Sequence, residues 1–128
     1  MGRLLRASRV AALALACVGL GCGHRRSMDG RPDPIDVLLV VTNHHFVDIT
    51  IYLEHDGQRT RVGTVTAASS EHFRLPWRLL SASRQFRLFG EAIGSSEAVS
   101  TEALTIQAGQ SIEWTLEHDL RRSSVGVY

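Results

Sequence analysis

The chain contains no lysine, and all fourteen of its basic residues are arginine. That points to a GC-rich genome rather than to a function. Cysteine is nearly as scarce. It occurs only at Cys17 and Cys22, so nothing beyond residue 22 can form a disulfide, bind metal through thiolate or attack as a thiol nucleophile. A downstream domain must therefore be held by core packing alone. Long apolar runs are missing too. Val10–Leu20 (VAALALACVGL) has eleven residues, short of the roughly 20 that cross a bilayer core. An excess of positive charge is also lacking. Beyond residue 21, eleven Arg stand against thirteen Asp and Glu. This near neutrality argues against a nucleic-acid binder, which needs a strongly basic patch or domain.

What is present begins with an export signal. Arg3, Arg6 and Arg9 form a positive start with no acidic residue, the apolar run follows, and Gly21 and Cys22 close it. Charged start, short apolar core and small terminal residues are the marks of a secretory signal. Gly19-Leu20-Gly21-Cys22 resembles the cleavage box of bacterial lipoproteins. It departs from the pattern in having Gly19 where that family usually carries Leu. Cys17, after Ala14-Leu15-Ala16, is a second candidate, but cleavage there leaves a shorter apolar run. The competing reading is an ordinary secretory signal cut near Gly21 or Gly23.

The resemblance implies cleavage before Cys22, acylation of that residue and retention at a membrane. Two or more acyl chains give stable anchoring where one does not. Gly23 stands where an Asp favours inner-membrane retention in enteric-type bacteria, so the expected site is the outer membrane where one exists.

Residues 1–21 are thus read as signal, residues 22–34 as anchor and tether, and residues 35–128 as one domain. Gly23–Pro34 (GHRRSMDGRPDP) is polar and carries two Pro and two Gly. A flexible stretch of that length spans roughly 20 Å.

From Ile35 onward, short apolar runs recur between turn residues, the spacing of a β-sandwich or barrel. Ile35–Thr42 (IDVLLVVT) is nearly continuous and reads as a strand buried on both faces. Asn43–Phe46 reads as a loop. Val47, Ile49, Ile51 and Leu53 then alternate with polar neighbours. Asp56-Gly57 predicts a two-residue hairpin turn. Its register sets His55 opposite Gln58, Glu54 opposite Arg59, Leu53 opposite Thr60, Tyr52 opposite Arg61 and Ile51 opposite Val62. A bulge at Gly63 would then turn Val65 inward. Phe73 and Leu75 mark another strand, stopped by Pro76, and Phe86 and Leu88 a further one. Gly90–Ser96 reads as a loop or irregular edge. Leu104 and Ile106 are expected to pair with Ile112, Trp114 and Leu116 across Ala108-Gly109. Ser124–Tyr128 reads as a final strand. No helical period is evident. The expected fold is all-β: an antiparallel two-sheet sandwich of seven to eight strands, immunoglobulin-like or transthyretin-like.

The run Tyr52–Val65, the pair Leu75-Pro76 and the ending Ser123–Val127 resemble small uncharacterised bacterial lipoproteins with a single β-sandwich. That resemblance implies no activity and carries no site residues.

Candidate sites are few. His44, His45, His55, His72 and His118 show no HxH or HxxxH spacing, and the better reading is scattered, solvent-facing histidine with no metal bound. No GxSxG or SxxK motif is present for a serine nucleophile. Arg59, Arg61, Arg74 and Arg87 fall at outward positions and would form a basic stripe for phosphate or carboxylate groups. A solvated face laced with Glu is the competing reading. Trp77, beside Arg78, either contacts a partner or closes the end of the core. Trp114 is assigned to the core. The combined expectation is a non-enzymatic envelope lipoprotein, lipid-anchored through Cys22, without cofactor or nucleic acid, that binds another envelope protein. The alternatives are a carbohydrate- or anionic-ligand-binding module and, behind it, a His-dependent metal-binding protein or envelope enzyme. Cys22, Arg59, Arg61, Arg74, Trp77, Arg78 and Arg87 are the residues singled out.

Overall fold

The computed structural model describes residues 36–82 and 85–128. The signal 1–21, with Cys17, and then Cys22, the tether and Ile35 lie outside the described residues.

Alternation along the chain builds two sheets. β1 (Val37–Asn43), β4 (Ser69–Leu75), β7 (Ile112–Leu116) and β8 (Ser124–Val127) form the first, in the order β4-β1-β7-β8. β2 (Ile49–His55), β3 (Gln58–Val65), β5 (Arg87–Ala92) and β6 (Ala98–Ser100) form the second, in the order β3-β2-β5-β6. Eight strands in two sheets match the expected sandwich. The order also bears on the two expected shapes. An immunoglobulin sandwich keeps its first two strands in one sheet, whereas β1 and β2 lie in different sheets. The immunoglobulin order is therefore not the one observed. One pairing departs from the antiparallel expectation: β1 and β7 run parallel, with Leu39 opposite Ile112 and Val41 opposite Trp114. Parallel neighbours need a long connection rather than a tight turn. Here that connection includes the whole of the second sheet.

The core lies between the inward rows. Val37, Leu39 and Val41 from β1 face Ile49, Ile51 and Leu53 from β2, with Leu88, Ile112, Trp114 and Leu116 completing it. Full burial of each such side chain is worth roughly 1.5–3 kcal/mol. β1 is buried on one face only, and Leu38 on its other face is exposed. The near-continuous apolar run overstated its burial. Trp114 is core, as expected, and it presses on Gly90. A Cβ on Gly90 would lie 3.3 Å from the indole and 3.2 Å from Ile49. Gly90 is therefore a mid-strand residue kept small for packing, not part of a loop.

The Asp56-Gly57 hairpin forms with both residues at positive φ (48° and 72°), as a type I′ turn requires. Its first four pairs are those expected, from His55–Gln58 to Tyr52–Arg61. The register then shifts and Ile51 pairs with Gly63. The extra residue is thus Val62, one position earlier than expected, and Val65 turns inward opposite Ile49.

Two further expectations fail. A short helix, α1 (Trp77–Ala82), follows Pro76. It is too short to display a 3.6-residue period. Leu80 anchors it, and Trp77 and Leu79 pack against the core. The hairpin across Ala108-Gly109 does not form. Leu104 instead exchanges both backbone bonds with Phe86, at 3.0 and 2.7 Å. Together with Thr101, bonded to Leu88, it extends the edge of the second sheet past the short β6.

Candidate functional site

The outer face of the second sheet is a grid set by strand register. Arg59, Glu54 and Arg87 lie side by side across β3, β2 and β5, and Arg61, Tyr52 and Phe89 form the next row. The Arg59 guanidinium bonds to Glu54, with Nε donating to Oε1 at 2.8 Å. It also covers the Phe89 ring, 3.9 Å from the centroid, and lies 5.6 Å from that of Tyr52. Tyr52 and Phe89 are tilted neighbours with centroids 6.1 Å apart. Arg61 Nη2 donates to Thr64 Oγ1 at 3.0 Å. An exposed ion pair of this kind contributes about 0–1 kcal/mol, and an exposed cation–π contact about 0.5–1 kcal/mol. These contacts order the face more than they stabilise the fold. Among the described residues, Arg61 and Arg87 have no carboxylate partner.

The expected basic stripe therefore divides. Arg59, Arg61 and Arg87 share this face. Arg74 lies opposite Leu38 on the outer face of the other sheet. Arg78 is exposed on α1, and Trp77 is half-buried against the core. The division follows from the β3–β4 turn, where the chain changes sheets. Alternation says which residues point outward but not from which sheet.

Beside the Arg59–Glu54–Arg87 row, at the hairpin end, is a cleft of about 560 Å³. Its lining includes His55, Asp56, Gln58, Arg59, Gln85 and Arg87. His55 continues the inward row of Ile49, Ile51 and Leu53, and its side chain is 9% exposed. Among the described residues neither ring nitrogen has a hydrogen-bond partner. The nearest carboxylate oxygen, Asp56 Oδ2, is 3.8 Å from Nδ1, beyond hydrogen-bonding distance. A buried polar group left unpaired costs about 1–3 kcal/mol.

The opposite end is closed by a satisfied network. Asn43 and His45 are fully buried. Asn43 Oδ1 accepts the His45 N–H at 2.8 Å, and its amide faces the carbonyls of Val47, Val65 and Thr66 at 3.0, 3.3 and 3.2 Å. The Val47 N–H donates to His45 Nδ1 at 3.3 Å. The proton therefore sits on Nε2, which donates to Glu97 Oε2 at 2.9 Å. Phe46 stacks on that imidazole, 4.3 Å between centroids, while remaining exposed.

The histidines are thus not uniformly solvent-facing. His45 is buried, His55 is partly buried with its side chain 9% exposed, and His44, His72 and His118 are exposed. Among the described residues no three His, Cys, Asp or Glu side chains are grouped to hold a metal ion. The signal for His55 is present in the sequence, because strict alternation from Ile49 sets residue 55 on the inward face. That for His45 is weaker, since it lies in an irregular loop.

Near this end, Asp119 caps the 3-10 turn Leu120–Arg122, and its Oδ1 accepts from the Arg121 side chain at 3.1 Å and backbone at 3.2 Å. The side-chain hydrogen bond from Arg121, then the backbone one, holds this carboxyl below the ordinary carboxylate range.

Comparison with protein-family profiles gives no match. Comparison with curated proteins gives none either. Among solved structures, the chain is similar to one described as the NMR structure of the protein from Eubacterium rectale. The two share 16% identity with a TM-score of 0.45, over 77% of this chain and 93% of the other.

Proposed function

We propose that this chain is a non-enzymatic β-sandwich lipoprotein of the bacterial cell envelope, tethered through acylated Cys22, that serves as a protein-interaction or assembly module. The observation that carries the reading is the ordered Arg–aromatic face of the second sheet. Arg, Tyr and Phe are enriched where proteins meet, and Tyr and Arg recur among binding hot spots. Arg59 is held in place by Glu54 and Phe89, so little freedom is lost on docking. Arg61 and Arg87 bring positive charge to the same face, which suits an acidic partner surface. The sugar-binding alternative rests on Trp77 and nearby arginines. The Trp77 indole packs against the core, which leaves less of the ring for stacking.

Affinity capture of the lipidated protein from its native envelope tests this reading. The wild type should retain a defined partner protein, and Tyr52→Ala with Arg61→Glu should lose it while keeping the fold. Recovery of no partner, or equal recovery by the variant, overturns the reading. The anchor is tested separately. Cys22→Ser should abolish lipid labelling and change fractionation, and unchanged labelling points to Cys17.

A further inference from the structure

We propose that the cleft at the hairpin end binds a small molecule through a carboxylate group, gripped by Arg87 with His55 in the wall beside it. Three observations on separate residues converge there.

The first is the charge arrangement. Arg59 lines the cleft, but its guanidinium is already engaged by Glu54. Arg87 lines it with no carboxylate partner among the described residues. A guanidinium of this kind is suited to planar, two-point recognition of an oxyanion.

The second is His55. It lines the same cleft, its side chain is 9% exposed, and its two ring nitrogens are buried without a partner among the described residues. Natural folds rarely leave such groups unsatisfied, and exceptions call for a reason. A neutral imidazole offers one donor and one acceptor on opposite sides of the ring, and a bound ligand can meet the one turned toward the cleft.

The third is composition. Gln58 and Gln85 add amide groups to the lining, as expected where a few polar groups fix a ligand's orientation. Glu54 and Asp56 are also in the lining. They keep the cleft from strong positive charge, which favours a carboxylate monoanion over a phosphate dianion.

The cleft shares Arg87 with the interaction face but not Tyr52 or Arg61, so variants at those two positions tell the sites apart. The full chain in detergent micelles is titrated with D-glucuronate, D-glucose and inorganic phosphate, with the His55 ring and the Arg87 side chain followed by NMR. Glucuronate should give saturable shifts at both residues, glucose none, and phosphate weaker binding. Arg87→Gln, at an exposed position, should weaken glucuronate at least tenfold, and His55→Gln several-fold. Arg61→Glu should leave the titration unchanged. Absence of a saturable shift at His55, equal affinity in Arg87→Gln, or tighter binding of glucose or phosphate overturns the proposal. Loss of partner capture in the Arg61 variant with the titration intact shows that the cleft binds independently of the partner contact.

Discussion

Removing the Asn43 carboxamide should unsettle the whole domain. Asn43 ends β1 and is fully buried, and its side chain ties three separate segments together: the β1–β2 loop through Val47 and His45, the end of β3 through Val65, and the following turn through Thr66. The amide has two hydrogens facing three carbonyls, so one bond is shared. Counting two donated bonds and one accepted, at about 1 kcal/mol net each, Asn43→Ala should cost about 3 kcal/mol. The abandoned carbonyls and the His45 N–H would then be buried without partners, which raises the loss to roughly 4–5 kcal/mol. A domain of this size holds roughly 5–14 kcal/mol in total. Asn43→Asp is the sharper probe. It keeps the acceptor for His45 but sets a carboxylate against carbonyl oxygens, so at pH 7 it should be at least as damaging. Burial and repulsion raise its folded pKa. The penalty is therefore present above that pKa and eases as pH falls through it. Urea unfolding followed by fluorescence of Trp114, which is 1% exposed, measures both variants. A cost below about 1 kcal/mol for Asn43→Asp at pH 7, or no change with pH, would refute the network as drawn.

Two glycines should separate strain from collision. Gly57→Ala introduces a side chain that meets nothing within 4 Å but sits at φ +72°, and should cost about 1–2 kcal/mol. Gly63→Ala sets a Cβ 2.5 Å from Phe73, and should cost about 1–3 kcal/mol. Shortening Phe73 to Leu should rescue the second and leave the first untouched, which paired urea titrations will read. Asp119 should titrate below the ordinary carboxylate range by NMR, returning toward it in Arg121→Ala. Its lowered pKa makes its contribution present above the unfolded carboxyl pKa and lost as pH falls through the folded one; an unmoved titration in Arg121→Ala would disprove the pairing.

The hairpin is legible in the sequence because Asp56-Gly57 fixes both turn type and register locally. The inward row from Ile49 to Leu53 is legible because one sheet face is wet, so alternation survives. The assignment of strands to sheets is not. β3 and β4 alternate alike, and nothing local marks the change of sheet between them, so Arg74 is grouped with arginines that lie on the other side of the molecule. Ile112–Leu116 is recognisable as a strand, yet on one side its partner is β1, far away in sequence, where proximity wrongly suggests Leu104 and Ile106. α1 is hidden by brevity. His55 is readable by alternation, but its missing hydrogen-bond partners depend on what surrounds it in space.

The parallel contact of Leu39 with Ile112 also governs the order of assembly. The first sheet cannot close until β7 reaches β1 and β8 pairs with β7. Such pairing is slow, because the loop-closure entropy comes before any reward. Until then the second sheet, made of β2, β3, β5 and β6, and the β1–β4 pair can associate. A chain emerging in order from one end therefore keeps its valine-rich first strand without a partner on the β7 side until β7 arrives. Holding that strand away from other chains is a task left to whatever accompanies the protein before it folds.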